Sequence, residues 1–142
     1  MDGVLCNWEA SYIKERKRNP GIPYPQAMPG FFVNLEPMLT GITAVKLLSA
    51  HFDMRICTAP SNRNPLSYTE KRLWVENHLG YEYVEGLTIT SYKNDIKGDF
   101  LIDDRTDSHG QKDFEGELIH FGSERFPDWS TVYHYLLSKA IQ

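Results

Sequence analysis

"DFLIDDR", residues 99–105, is the stretch on which the reading of this chain turns. Phe100, Leu101 and Ile102 form a short, unbroken apolar run. A strand buried on both faces of a parallel sheet has this composition, whereas a half-solvated strand alternates apolar and polar residues. Two acids, Asp103 and Asp104, follow at once. In an open α/β sheet, ligands collect at the carboxyl ends of the strands. Asp99 precedes the run, belongs at the opposite edge, and is left out of the candidate site.

Outward from this strand the pattern repeats. Met54, Ile56 and Cys57 in "DMRICTAP" (53–60) mark another short strand, as do "GLTIT" (86–90) and "GELIHF" (116–121). Between them lie helical stretches: about 7–18, "TGITAVKLLSAHF" (40–52), "SYTEKRLWVENHLG" (67–80) and "PDWSTVYHYLLSKA" (127–140). In the third, Ser67 or Thr69 is the expected N-cap and Gly80 the stop. Helices alternating with short apolar strands predict an α/β fold, a three-layer doubly wound parallel sheet. "NPGIPYPQAMPG" (19–30) carries four prolines and two glycines, so regular structure cannot run through it. The segment from about 8 to 38 is too polar and proline-rich for a core layer. It is expected to be a small helical cap inserted after the first loop of a single domain spanning 1–142.

Composition narrows the function. The 142 residues suit one domain, and 41% apolar residues suffice for a core. Nineteen acids against fifteen bases give a formal charge of -4, which argues against a nucleic-acid polymer as partner. The basic run Lys14–Arg18 reads as a solvated helix end. Cys6 and Cys57, with no signal peptide, are expected to be reduced, which points to the cytoplasm. No apolar run has the length of a membrane span. The five histidines show no paired metal-ligand spacing.

The residues after each expected strand share a chemistry. Asp2 would follow a first strand, Thr58 follows "RIC", Ser91, Tyr92 and Lys93 follow "TIT", and Asp103 and Asp104 follow "FLI". Each alone has an ordinary structural explanation. Together, several carboxylates call for a hard cation, Mg²⁺ above all, and a lysine with a hydroxyl suits a phosphate. A cation and a lysine can jointly neutralise a phosphoryl group in transfer.

With "MDGVLCNW" (1–8), "GFFVNLEPM" (30–38), "RICTAP" (55–60), "EKRLWVENHLG" (70–80), "KNDIKGDFLIDDR" (93–105) and "PDWSTV" (127–132), the chain resembles the haloacid dehalogenase superfamily of phosphohydrolases. Within it, the chain is similar to the 5'(3')-deoxyribonucleotidases. The resemblance implies a Mg²⁺-dependent phosphatase acting on deoxyribonucleoside monophosphates through an aspartyl-phosphate. It implies that Asp2 is the general acid and base and turns its carbonyl to the metal. Thr58, Ala59 and Lys93 would bind phosphate; Asp104 would ligate Mg²⁺, supported by Asp103. Trp8, Phe31 and Phe32 match an aromatic wall for the nucleobase, with the ordinary core of the cap as the alternative account of them. The implied partner is a small nucleotide, and a homodimer is left open.

Three departures from the family pattern stand out. Ala59 occupies a position where the family usually has a phosphate-binding serine. The cap is short beside those of the vertebrate enzymes. The nucleophile, an aspartate two positions ahead of Asp2, and the apolar strand carrying it do not occur in the chain. Asp2 cannot take over, because two residues of extended backbone span about 6–7 Å, while in-line attack requires atoms about 3–3.5 Å apart. Loss of a central strand would leave two sheet edges and an apolar slot exposed. The alternative reading is a nucleotide- or phosphate-binding relative without turnover.

Overall fold

The computed structural model describes residues 1–141. Its helices are α1 (Trp8–Arg18), α2 (Leu39–Leu48), α3 (Ser67–His78) and α4 (Trp129–Ala140), and its strands are β1 (Cys57–Thr58), β2 (Thr88–Ile89), β3 (Phe100–Asp103) and β4 (Glu117–His120). This is the mixed α/β order expected, with every strand where an apolar run placed it. The pairing is parallel throughout: β1 with β2, and β3 with β4, in register from Phe100 opposite Glu117 to Asp103 opposite His120.

The strands form two separate pairs, not one continuous sheet. A cleft of about 590 Å³ is lined by Ile56, Cys57 and Thr88 from one pair and by Phe100, Leu101 and Ile102 from the other, with Met1, Val45, Trp129 and Leu136 around it and Asp53, Arg55, Asp95, Lys97 and Asp99 also lining it.

One core serves the whole chain. It gathers Val45 and Leu48 of α2, Trp74 and Val75 of α3, Ile119 of β4, and Val132 and Leu136 of α4, all buried. Burying each such side chain contributes about 1.5–3 kcal/mol. The same core takes in Phe31, Phe32 and Leu35. The end of the 8–38 excursion is therefore part of the central packing, contrary to its polar reading: four of its prolines lie earlier, and Phe31, Phe32 and Leu35 turn inward.

One local feature also differs from expectation. Ser67 does not cap α3. Its hydroxyl accepts from the backbone N–H of Ser61, and Asn64 Oδ1 takes the N–H of Leu66 instead. The loop Met1–Cys6 is a tight turn in which Val4 and Leu5 donate to the Met1 carbonyl. The indole of Trp129, at the start of α4, donates to the Val4 carbonyl over 2.7 Å and pins this loop over the strand ends.

Candidate functional site

A cleft of about 980 Å³ opens where the first loop, the ends of β1 and β3, and the cap meet. Asp2, Thr58, Ala59, Lys93, Asp103, Asp104, Trp8 and Phe32 all line it, so the structure brings together most of the residues singled out by sequence. Phe31 is set back from the cleft. It meets Trp8 and Phe32 edge-on, with ring centroids 5.9 and 5.1 Å away, and supports them from behind.

The cation at the centre of the site is one the sequence reading passed over. Lys71, on the second turn of α3, is 1% exposed. Its Nζ donates to Asp2 Oδ2 at 3.0 Å, to Thr58 Oγ1 at 2.9 Å and to the Ala59 carbonyl. All three ammonium protons are used, which is how a lysine can remain charged in a buried position. Thr58 accepts from Lys71 and so keeps its own O–H free to donate. The available signal was the helical spacing of "EKRLWVENHLG": Lys71 falls on the same side as the buried Trp74 and Val75, not on the solvated face.

Lys93 is committed differently. Its ammonium, in the turn after β2, is ion-paired with Asp103, and both side chains are buried. Asp103 also accepts from the Arg105 backbone N–H and the Gln111 side chain. Burial alone would push the Asp103 carboxyl up; the Lys93 ammonium, its hydrogen bond and the Arg105 N–H hold it below the ordinary value.

Asp104 is in the opposite state. Burial first, and the negative charge of Asp103 second, push its carboxyl up. No lysine or arginine pairs with it among the described residues. Its carboxylate presses against Gly3, whose φ of +72° and missing Cβ allow the approach; a side chain there would collide with Asp104. A half-buried acid beside a second acid, facing the Asp2–Gly3 turn, is a fit for a hard cation. Among the described residues no three acids, histidines or cysteines form a closed metal cage.

The far wall of the cleft is aromatic. Trp8 and Tyr12, one helical turn apart on α1, stack with centroids 5.1 Å apart and planes 12° from parallel. Tyr12 was not singled out by sequence, although its i,i+4 spacing from Trp8 offered the signal. On the rim, the Arg63 guanidinium lies 3.7 Å from the centre of the Tyr24 ring. His109 also lines the cleft. Burial, and then Lys93, lower its pKa.

Comparison with known proteins points the same way. Residues 3–137 match the family described as "5' nucleotidase, deoxy (Pyrimidine), cytosolic type C protein". A protein of Vibrio phage KVP40, provisionally named a 5'(3')-deoxyribonucleotidase, is 39% identical over 143 residues, covering 98% of this chain and 82% of its own length. The human cytosolic 5'(3')-deoxyribonucleotidase is 31% identical, over 80% of this chain and 72% of its own. A Bordetella parapertussis protein, also provisionally named a 5'(3')-deoxyribonucleotidase, is 44% identical, over 74% and 71%.

Proposed function

The chain belongs to the 5'(3')-deoxyribonucleotidase family, and we propose that its cleft binds a deoxyribonucleoside monophosphate, with the phosphate at Thr58 and Lys71 and the base against Trp8, Tyr12 and Phe32. The activity of the family is that of a nucleotidase, a phosphomonoesterase. The observation that supports this placement best is the Lys71 ammonium, buried and shared between Asp2 and Thr58 at the mouth of β1. A cation and a free hydroxyl donor side by side suit the non-bridging oxygens of a phosphate.

The remaining roles follow from the geometry. Asp2, one-third exposed, faces the cleft while Lys71 orients it. It can give a proton to the departing ribose oxygen and later take one from water. Asp104 and the Asp2 carbonyl are the groups that would hold Mg²⁺, and Asp103 would support them. When bound, Mg²⁺ supplies charge neutralisation at the phosphoryl oxygens. Lys93 is assigned the task of keeping Asp103 ionised, and direct contact with phosphate passes to Lys71. This revises the role that sequence suggested for Lys93.

Attack on phosphorus through an aspartyl-phosphate needs a further carboxylate. The acids lining the cleft are Asp2, Glu9, Asp103 and Asp104. Asp2 is held by Lys71, Asp103 by Lys93, and Asp104 faces the expected metal; Glu9 is on the exposed cap helix. None of these four is free to attack phosphorus among the described residues, and this census of carboxylates favours a second reading, a nucleotide binder without turnover. Phosphate release from dUMP by the chain separates the two.

A further inference from the structure

Glu70 is a buried acid that the mechanism above does not use. It is 7% exposed and lies in the first turn of α3, beside Lys71. Its partners are backbone groups of the cap. Oε2 accepts from the N–H of Gly30 at 3.2 Å; Oε1 accepts from Phe32 at 3.1 Å and from Val33 at 3.2 Å. Three such bonds, together with the positive end of the helix, compensate a buried carboxylate. One turn further on, the Trp74 indole donates to the Leu35 carbonyl over 2.8 Å. Glu70 and Trp74 thus hold the segment 30–35 by its main chain, on one face of α3.

Lys71 completes the arrangement. Its Nζ lies 4.9 Å from the centre of the Phe32 ring. It also holds Asp2 and Thr58. Two consecutive residues therefore fix two neighbouring parts of the cleft: Glu70 holds the backbone of an aromatic wall residue, and Lys71, against the ring of that residue, holds the phosphate site.

We infer that Glu70 is a positioning residue that sets the span between the base wall and the phosphate site, and so selects nucleotides over smaller phosphates. This rests on the proposed nucleotide site. A nucleoside monophosphate has a base and a phosphate at a fixed separation, so it feels any shift of Phe32 relative to Lys71. Inorganic phosphate occupies one end only and does not. Uniform loosening of the fold would weaken both ligands; a change in span weakens one.

The test is calorimetric titration of the chain with dUMP and with inorganic phosphate, Mg²⁺ present. Glu70→Gln keeps one carbonyl oxygen, enough for Phe32 and Val33, and sets an amide against the Gly30 N–H. Its dUMP affinity should fall about tenfold, the loss of one charge-assisted hydrogen bond. Phosphate affinity should stay within about twofold. Glu70→Ala should widen the gap, and Trp74→Phe, which removes the bond to Leu35 along with part of a buried ring, should shift it in the same direction. Equal losses for both ligands in Glu70→Gln, or no loss for either, would overturn the inference while leaving the site intact. A wild-type chain that binds dUMP no better than phosphate would overturn the nucleotide site and the inference with it.

Discussion

Lys71 Nζ sits 3.0 Å from Asp2 Oδ2, joining residues 69 positions apart in sequence. The contact ties α3 to the first loop and places a cation where a phosphate would arrive. Lys71→Met should preserve shape while removing this charge. Affinity for orthovanadate or phosphate should fall at least about tenfold, the worth of one charge-assisted bond. Asp2 can turn to water, so the melting temperature should change little. Unchanged anion affinity by calorimetry would return the phosphate role to another residue.

Lys93→Met should behave in the converse way. It leaves Asp103 buried with only the Arg105 N–H and the Gln111 amide. Breaking a buried pair on one side costs about 3–5 kcal/mol. Chemical denaturation should show that loss, larger than for Lys71→Met. A stable Lys93→Met chain with weakened phosphate binding would instead favour the direct role that sequence suggested.

The two acids after β3 should respond to pH in opposite directions. In the folded chain Asp103 ionises below its ordinary value of 3.8. Its stabilising contribution is full above that value and is lost as pH falls through the lower, folded one. Asp103→Asn should therefore be less stable than wild type at neutral pH, with the difference shrinking in acid. Asp104 is held above its ordinary value, so its ionisation costs stability at neutral pH. Metal-free Asp104→Asn should melt higher than wild type at pH 7 and bind Mg²⁺ much more weakly. Thermal melts across pH, with and without Mg²⁺, check both signs.

The aromatic wall predicts a preference among phosphates. A deoxyribonucleoside monophosphate should bind more tightly than ribose 5-phosphate by about 1–3 kcal/mol, the range for one stacked base. Trp8→Ala or Tyr12→Ala should erase most of that difference. Equal affinity in the wild type, measured by competition calorimetry, would exclude stacking at this wall.

Much of this was legible in the sequence, for physical reasons that also mark its limits. The strand "FLI" and the acids behind it could be read because short-range pattern alone specifies a buried strand and its polar end. Lys71 was missed because a lysine in a helix is ordinarily solvated, and only tertiary packing reveals that its ammonium meets Asp2, Thr58 and Ala59. Lys93 was legible as a site-lining residue but not as the partner of Asp103, since their pairing depends on how two turns approach each other. Phe31 and Phe32 were seen as aromatic wall or as core, and each is partly both: Phe32 lines the cleft while buried in the core, and Phe31 backs it. The division of the strands into two pairs was not legible, because pairing between distant strands depends on tertiary packing.

The central claim is that this cleft performs phosphoryl transfer once an aspartate stands ahead of Asp2. The direct measurement is phosphate release from dUMP by the chain extended ahead of Met1 with an apolar strand of about five or six residues ending in Asp. The account predicts Mg²⁺-dependent turnover and a raised melting temperature in the extended chain, no turnover but the same stability when that Asp is changed to Asn, and no useful turnover from Met1 onward. Hydrolysis of dUMP at an ordinary enzymatic rate by the unextended chain, or undiminished turnover in the Asn variant, would contradict it.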